Sequence, residues 1–166
     1  MQLVICFLFF TGGLAVYLQS EMNMKNIFPF LDKQEREHIL EVNLTYPQLQ
    51  GLETAYIARF GEIAGVTDVL PMDKDLFGGY FSTTTVRLGE GQYREFCEVR
   101  TGPNFASFFH IPVLAGEMFK YPGQRVADRI IDGIYGGKVI TDGFEDIDGQ
   151  KINICGVVDA IPQIYA

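Results

Sequence analysis

The sequence predicts an α+β fold: an N-terminal transmembrane helix, then a mixed α/β domain with antiparallel strands and one main amphipathic helix. Three observations predict it. Residues Met1–Ser20 carry no charge. Leu49, Leu52, Tyr56, Phe60 and Ile63 recur three or four residues apart, which places them on one stripe of a helix. Elsewhere, short runs rich in β-branched and aromatic residues alternate with glycine-containing turns, the pattern of strands.

The first stretch reads MQLVICFLFFTGGLAVYLQS. At about 1.5 Å per residue, a helix of this length spans roughly 30 Å, the thickness of a bilayer's hydrocarbon core. Leu3, Val4, Ile5, Phe7, Leu8, Phe9, Phe10, Leu14, Val16 and Leu18 each favour insertion at mid-membrane by about 0.3–0.6 kcal/mol, together roughly 3–6 kcal/mol. Cys6, Thr11, Gly12 and Gly13 are tolerated in lipid, and Tyr17 and Gln19 suit the far interface. A signal peptide is the weaker reading: no basic region precedes Leu3, and Ala15-Val16-Tyr17 is a poor cleavage site. The lipoprotein-like Leu3-Val4-Ile5-Cys6 stands before the apolar run rather than after it. A buried core helix is the other alternative. The expected span is 1–20, with the helix extending to about Phe28, and the domain follows from 32 to 166.

The chain has 166 residues and a formal net charge of −8, which suits one domain behind the anchor and disfavours nucleic acid and anionic lipid surfaces as partners. The positive-inside rule would place the flank holding Lys25, Lys33 and Arg36 on the cytoplasmic side. Glu21, Asp32, Glu35 and Glu37 are interspersed there, and no upstream flank balances it. Of the three cysteines, Cys6 lies in the apolar run. Cys97 and Cys155 sit in strand-like segments, where they read as small buried hydrophobes, with a disulfide between them as the alternative.

Pro29 ends or kinks the first helix, and 32–37 reads as charged, solvated chain. Ile39–Thr45 alternates Leu40, Val42 and Leu44 against Glu41, Asn43 and Thr45, the pattern of a half-buried strand. Asn43-Leu44-Thr45 also matches a glycosylation triplet, read here as the polar positions of that strand. A helix starts at Thr45 or Tyr46 with Pro47 in its first turn and stops at Gly65. Leu52, Tyr56 and Phe60 should cover a β-sheet. Val66–Pro71 reads as a short strand. Tyr80–Leu88 and Gln92–Thr101 form a hairpin across Gly89-Glu90-Gly91. In its second strand Tyr93, Cys97 and Val99 share one face, and Arg94, Phe96, Glu98 and Arg100 share the other, which reads as solvent-facing charge pairs. Gly102-Pro103-Asn104 opens a helical turn through His110. Strands are expected at 111–115, 126–131 and 151–158, with Gly133, Gly136 and Gly137 as breakers.

No residue is nominated as catalytic, cofactor-binding or metal-ligating, and no cofactor is expected. His38 and His110 have no Cys or carboxylate at ligand spacing. Gly133–Lys138 approximates a phosphate loop, but its first glycine is one residue too close and Val139 replaces the Ser or Thr that holds magnesium. Asp146-Ile147-Asp148-Gly149 approximates a calcium loop, but Phe144 and Cys155 occupy the first and last ligand positions. Both read as glycine-rich turns.

In their order, three segments carry a resemblance. They are Asn104–Phe119 (NFASFFHIPVLAGEMF), the turn and strand Asp148-Gly149-Gln150-Lys151-Ile152, and Ile154-Cys155-Gly156-Val157-Val158-Asp159 with Pro162 nearby. With the anchor and the amphipathic helix, this order resembles the extracytoplasmic (periplasmic) core domain of MacB/FtsX-type ABC transporter permeases. The resemblance implies a fragment of a permease subunit in the bacterial inner membrane, with the domain after residue 20 in the periplasm. It implies a non-catalytic role: coupling a cytoplasmic ABC ATP-binding subunit to transport or periplasmic signalling, as a permease dimer, with a periplasmic partner protein left open. Three features depart from the family. No cytoplasmic amphipathic segment precedes the first helix. Residues 132–148 are glycine-rich where the family has a strand followed by a helix. Three later membrane helices are missing, with Ala166 falling within or just after the domain. The alternative is a single-pass membrane-anchored binding or sensory domain.

Overall fold

The computed structural model describes residues 2–44, 46–49, 51–73, 82–89, 91–121 and 123–159. It divides into two units, one reaching Ile39 and one beginning at Leu40. The mixed α+β class with antiparallel sheets is observed.

In the first unit, helix α1 spans Gln2–Ile27. Its side chains are described over 9–23 and at Lys25, so the side chains of Leu3, Val4, Ile5, Phe7 and Leu8 lie outside the description. Among the described residues no helix is long and apolar enough to cross a membrane. Residues 28–31 turn at Pro29, with Phe28 and Leu31 buried. The charged stretch 32–37 carries no buried residue, as expected, and forms helix α2, Lys33–Glu37. A reciprocal cap starts it: Asp32 Oδ1 accepts from the Glu35 amide at 2.8 Å, and Glu35 Oε2 accepts from the Asp32 amide at 2.9 Å. Two otherwise orphaned amides are satisfied at once, which favours even a five-residue helix.

The second unit begins with a long segment that forms less structure than its pattern suggests. Residues 39–44 form no strand, and Thr45 lies outside the described residues. Alternation makes a strand only where a neighbour accepts its backbone, and here Leu40 is 84% exposed. The single helix expected over 47–64 is divided into a 3-10 turn, Pro47–Leu49, and helix α3, Glu53–Gly61. Gly51 lies between them at φ +80°, a left-handed conformation that no helix continues through. The stripe does not cover a sheet: Leu52 is 47%, Tyr56 37% and Ile63 52% exposed. Val66–Pro71 forms no strand, and an isolated bridge joins Met72 to Thr101.

From Ser82 onward the strands form. The hairpin pairs β1, Ser82–Gly89, with β2, Gln92–Glu98, so that Ser82 faces Glu98 and Val86 faces Arg94. Tyr80, Phe81 and Glu90 lie outside the described residues. After the aromatic turn α4, Phe105–Phe108, come β3, Val113–Gly116, and β4, Arg125–Asp128. The strand expected to run to Ile131 stops at Asp128, whose Oδ1 accepts from the Ile130 and Ile131 amides at 2.9 Å each. That cap starts α5, Arg129–Ile134, and α6 follows at Val139–Asp142, so the glycine-rich stretch is two short helices, with Gly133 inside the first and Gly136 and Gly137 breaking the chain between them. The final strands are β5, Phe144–Asp146, β6, Lys151–Ile152, and β7, Ile154–Val158.

Two sheets result, with orders β2-β1-β5-β6 and β3-β7-β4. The first is antiparallel throughout. In the second, β7 pairs antiparallel with β3 and parallel with β4. The intervening α5, α6 and β5–β6 hairpin provide the long connection that a parallel pair requires. Val86, Ala127, Val139, Phe144, Ile154 and Val157 form the core, with Phe96, Ile131, Tyr135 and Ile152 packed against it. Gly116 and Gly156 are dictated by the β3–β7 approach. A Cβ on Gly116 would meet the Cys155 carbonyl oxygen at 2.3 Å, and one on Gly156 the Glu117 carbonyl oxygen at 2.2 Å.

Candidate functional site

Two polar constructions stand out: a cluster around Glu98 in the second unit and an elbow after α1 in the first. The cluster reverses an expectation about faces. Val86 is 1% exposed and lies opposite Arg94. Directly opposed residues share a face, so the inward face of β2 carries Arg94, Phe96 and Glu98, and Tyr93 and Cys97 point outward. Phe96 packs on Phe144 with ring centroids 5.9 Å apart.

Glu98 is brought inward by this parity, with 22% of its side chain exposed. Its Oε2 accepts from the Thr84 hydroxyl and, at 3.2 Å, from Arg125 Nη1 on β4. Arg100 Nε stands 3.8 Å from Oε1. Glu98 and Arg125 belong to different sheets, so this charge-assisted bond ties one sheet to the other at a part-buried position. At the end of the second sheet, where β4 and β7 run out side by side, Arg129 Nε pairs with Asp159 Oδ1 at 2.9 Å. The geometry of the cluster is that of a brace: one carboxylate is held by a hydroxyl on the neighbouring strand and by a guanidinium from the other sheet.

Asp128 is the one buried charged residue among those described, 8% exposed. Burial pushes its carboxyl above the ordinary carboxylate range, against the opposing pull of the Ile131 and Ile130 amides and the Arg129 charge. Cys97 and Cys155 are both free. Burial raises the Cys155 thiol, which donates to the Arg125 carbonyl at 3.2 Å.

Each motif weighed from the sequence has a structural occupation. In Gly133–Lys138, Gly136 and Gly137 turn the chain at φ +64° and +77° from α5 to α6. Asp132 Oδ1 accepts from the amide of fully buried Val139 at 3.2 Å. In Asp146–Gly149, Asp146 Oδ1 accepts from the Asp148 and Gln150 amides at 2.9 and 2.8 Å, so that carboxylate closes the β5–β6 turn. His38 Nδ1 contacts the Gln34 carbonyl at 2.6 Å, and His110 follows α4 with φ +53°. Among the described residues, no three His, Cys, Asp or Glu side chains are grouped to hold a metal ion.

The elbow is built from α1 and α2. Lys33 Nζ lies 3.4 Å from Glu21 Oε1 on α1 and 3.7 Å from Glu37 Oε1 on α2. The Glu21 carboxylate raises the Lys33 ammonium above its ordinary value, with a further contribution from Tyr17. Arg36 Nη1 donates to the Leu31 carbonyl at 2.8 Å, closing the turn from the other side. The sequence reading missed this elbow, although Asp32 followed three residues later by Glu35 is a capping-box signal. The Glu98 brace had no such signal, because its partner lies 27 residues away. No protein-family model matches the chain, and neither a curated protein nor a solved structure matches it.

Proposed function

We propose that this chain is the first membrane helix and extracytoplasmic domain of an ABC transporter permease subunit of the MacB/FtsX type. It couples a cytoplasmic ABC ATP-binding subunit to transport or periplasmic signalling and performs no chemistry itself. The proposed setting is the bacterial inner membrane, with the domain after residue 20 in the periplasm, in a permease dimer open to a periplasmic partner protein.

The observation that carries this reading is α1. Every position from Phe9 to Ser20 is exposed, including Phe9 at 78%, Phe10 at 70%, Val16 at 68% and Leu18 at 53%. A helix apolar around its circumference is suited to lipid rather than water. Its apolar run extends in sequence to Leu3, which provides the length a bilayer requires. The helix continues to Ile27 and is followed by the elbow, where Lys33 reaches back to Glu21 on α1.

Extraction of membranes with alkaline carbonate tests the anchor: the intact chain should remain in the pellet, and a soluble chain with its N-terminus intact would overturn the reading. A Gly-Ser insert near Asn23 in the complete permease tests coupling. Transport should fall while partner ATP hydrolysis continues and the domain still folds; undiminished transport would reject the coupling role. The exposed stripe of α3 favours a second reading, the membrane-anchored binding or sensory domain, in which Leu52, Tyr56 and Ile63 meet a ligand or partner.

A further inference from the structure

We propose that β2 is the surface through which two copies of this chain pair, edge to edge and antiparallel, about a two-fold axis at Phe96. The inference stands on the strand itself and goes beyond the dimer proposed above, which names no contact surface. β2 is the outermost strand of its sheet, and among the described residues no strand lies beyond it. An open edge presents a row of backbone N–H and C=O groups that an added strand can satisfy. Edges are commonly closed to such pairing by proline, lysine, a bulge or brevity. β2 has none of these. It reads QYREFCE, runs for seven residues, and the register shift of the hairpin falls on β1, between Arg87 and Gly89. Residues 92–95 and Cys97 are exposed.

What β2 does carry is charge, and charge selects the occupant. In a two-fold antiparallel pair, one residue lies opposite its own copy and the others cross in order. With the axis at Phe96, Arg94 of each copy lies opposite Glu98 of the other, and Gln92 lies opposite Arg100. Axes at Arg94, Glu95 or Cys97 instead oppose Arg94 to itself, Glu95 to itself, or Arg94 to Arg100. Opposite charges across a strand pair are favourable and like charges are not. The Phe96 register is therefore the complementary one, and the strand that complements β2 is β2 itself. Within its own hairpin Arg94 faces Val86, so β1 places no acid across from it. Glu98 has room for a second guanidinium. Its Oε2 is taken by Thr84 and Arg125, whereas Oε1 has Arg100 Nε at 3.8 Å, beyond hydrogen-bond length. The half-buried Phe96 rings meet at the axis, and two four-stranded sheets become one of eight strands.

The test uses the purified full chain in detergent, carrying Cys6→Ser and Cys155→Ser. In the Phe96 register Cys97 lies opposite Glu95 of the second copy, at a separation that a disulfide spans. Glu95→Cys with Cys97 retained should give a disulfide-linked dimer under mild oxidation, read on non-reducing gels, and adding Cys97→Ser should abolish it. Arg94→Glu sets acid against acid and should raise the dimer dissociation constant by about tenfold or more, read by light scattering, whereas Arg94→Lys should keep the dimer. A monomeric chain would overturn the proposal. A dimer by mass that forms no link would overturn the β2 contact while leaving the permease dimer standing. A link that persists without Cys97 would mean that Glu95 faces its own copy, and would overturn the register. An unchanged dissociation constant in Arg94→Glu would overturn the charge pairing on which the contact rests.

Discussion

Residues 40–73 and residues 82–158 belong to one unit, yet they respond differently to the same kind of apolar patterning. In the first, α3 carries a helical stripe whose Leu52, Tyr56 and Ile63 stay exposed, and Leu40 and Val42 alternate without a partner strand. In the second, Val86, Phe144 and Val157 come from three strands and are buried together. The difference teaches that a periodic pattern specifies a local shape and a willing face, whereas burial depends on a second element presenting its own face at the right place. For 82–158 that second element is present at the core positions, because hairpin, crossover and final strand fold onto one another, while Val113 and Leu114 on β3 stay 43% and 52% exposed. For 40–73 the described residues contain no such cover.

The sharpest contrast should come from removing one aromatic ring in each region. Phe144 is 8% exposed and touches both Phe96 and Tyr135, the latter at a centroid distance of 4.7 Å. Phe144→Ala should cost about 3–5 kcal/mol in denaturant melts of the full chain. A loss under about 1 kcal/mol would mean that the core is not built around this ring.

Asp128 tests how the core's edge is organised. Asp128→Ala removes the α5 cap and should cost roughly 0.5–2 kcal/mol, whereas Asp128→Asn keeps an acceptor and should cost far less. The pH dependence has a definite sign. Burial raises the folded-state carboxyl above its unfolded value, so between the two the folded state holds the extra proton. The stability from this group is present at low pH and lost as pH rises through the folded value. Asp128→Asn should flatten that part of the stability curve, and an unchanged curve would remove Asp128 as its cause.

Removing a ring from the exposed stripe should do much less. Tyr56 lies 6.4 Å from Phe60 between ring centroids and is 37% exposed. Tyr56→Ala should cost less than about 1 kcal/mol. Phe60→Ala, expected from the helical pattern to cost about 3–5 kcal/mol if it covered a sheet, should now fall well below that range. A large loss for either would show that the stripe is covered in solution, and would end the contrast between the two regions.

The smallest effect belongs to Tyr135. Its hydroxyl is buried without a hydrogen-bond partner, and burial pushes its pKa up, disfavouring the ionised phenolate. A group that has lost water and gained no partner adds nothing favourable, so Tyr135→Phe should be neutral or slightly stabilising. A loss above about 1 kcal/mol would point to a partner for that oxygen.

The elements most legible in the sequence were those whose causes are local. The 82–98 hairpin was announced by its β-branched run and its glycines, and the aromatic turn at 105–108 by Gly102-Pro103-Asn104. Helices α5 and α6 were not legible because Gly133, Gly136 and Gly137 dominate that stretch; Gly136 and Gly137 do break the chain, between the two helices, whereas Gly133 lies inside α5. The Asp128 cap and the burial of Val139 outweigh the modest cost of glycine there. The brace around Glu98 was hidden because strand parity is invisible until the register is known: charges on Arg94, Glu98 and Arg100 outvoted Phe96 in choosing the outward face. Once Val86 is placed inward, a two-residue period carries Phe96 and Glu98 with it.

Residue order alone therefore decides where this chain is helical by capping, where it turns at a glycine or proline, and that its first twenty residues carry no charge. Those are interactions among near neighbours, set by backbone sterics and hydrogen bonds a few residues apart. Which apolar face is buried, which sheet Arg125 reaches across to, and whether 39–44 becomes a strand or stays open to solvent are decided only by packing. Each depends on free energy released when distant segments leave water together, and no single segment contains that information.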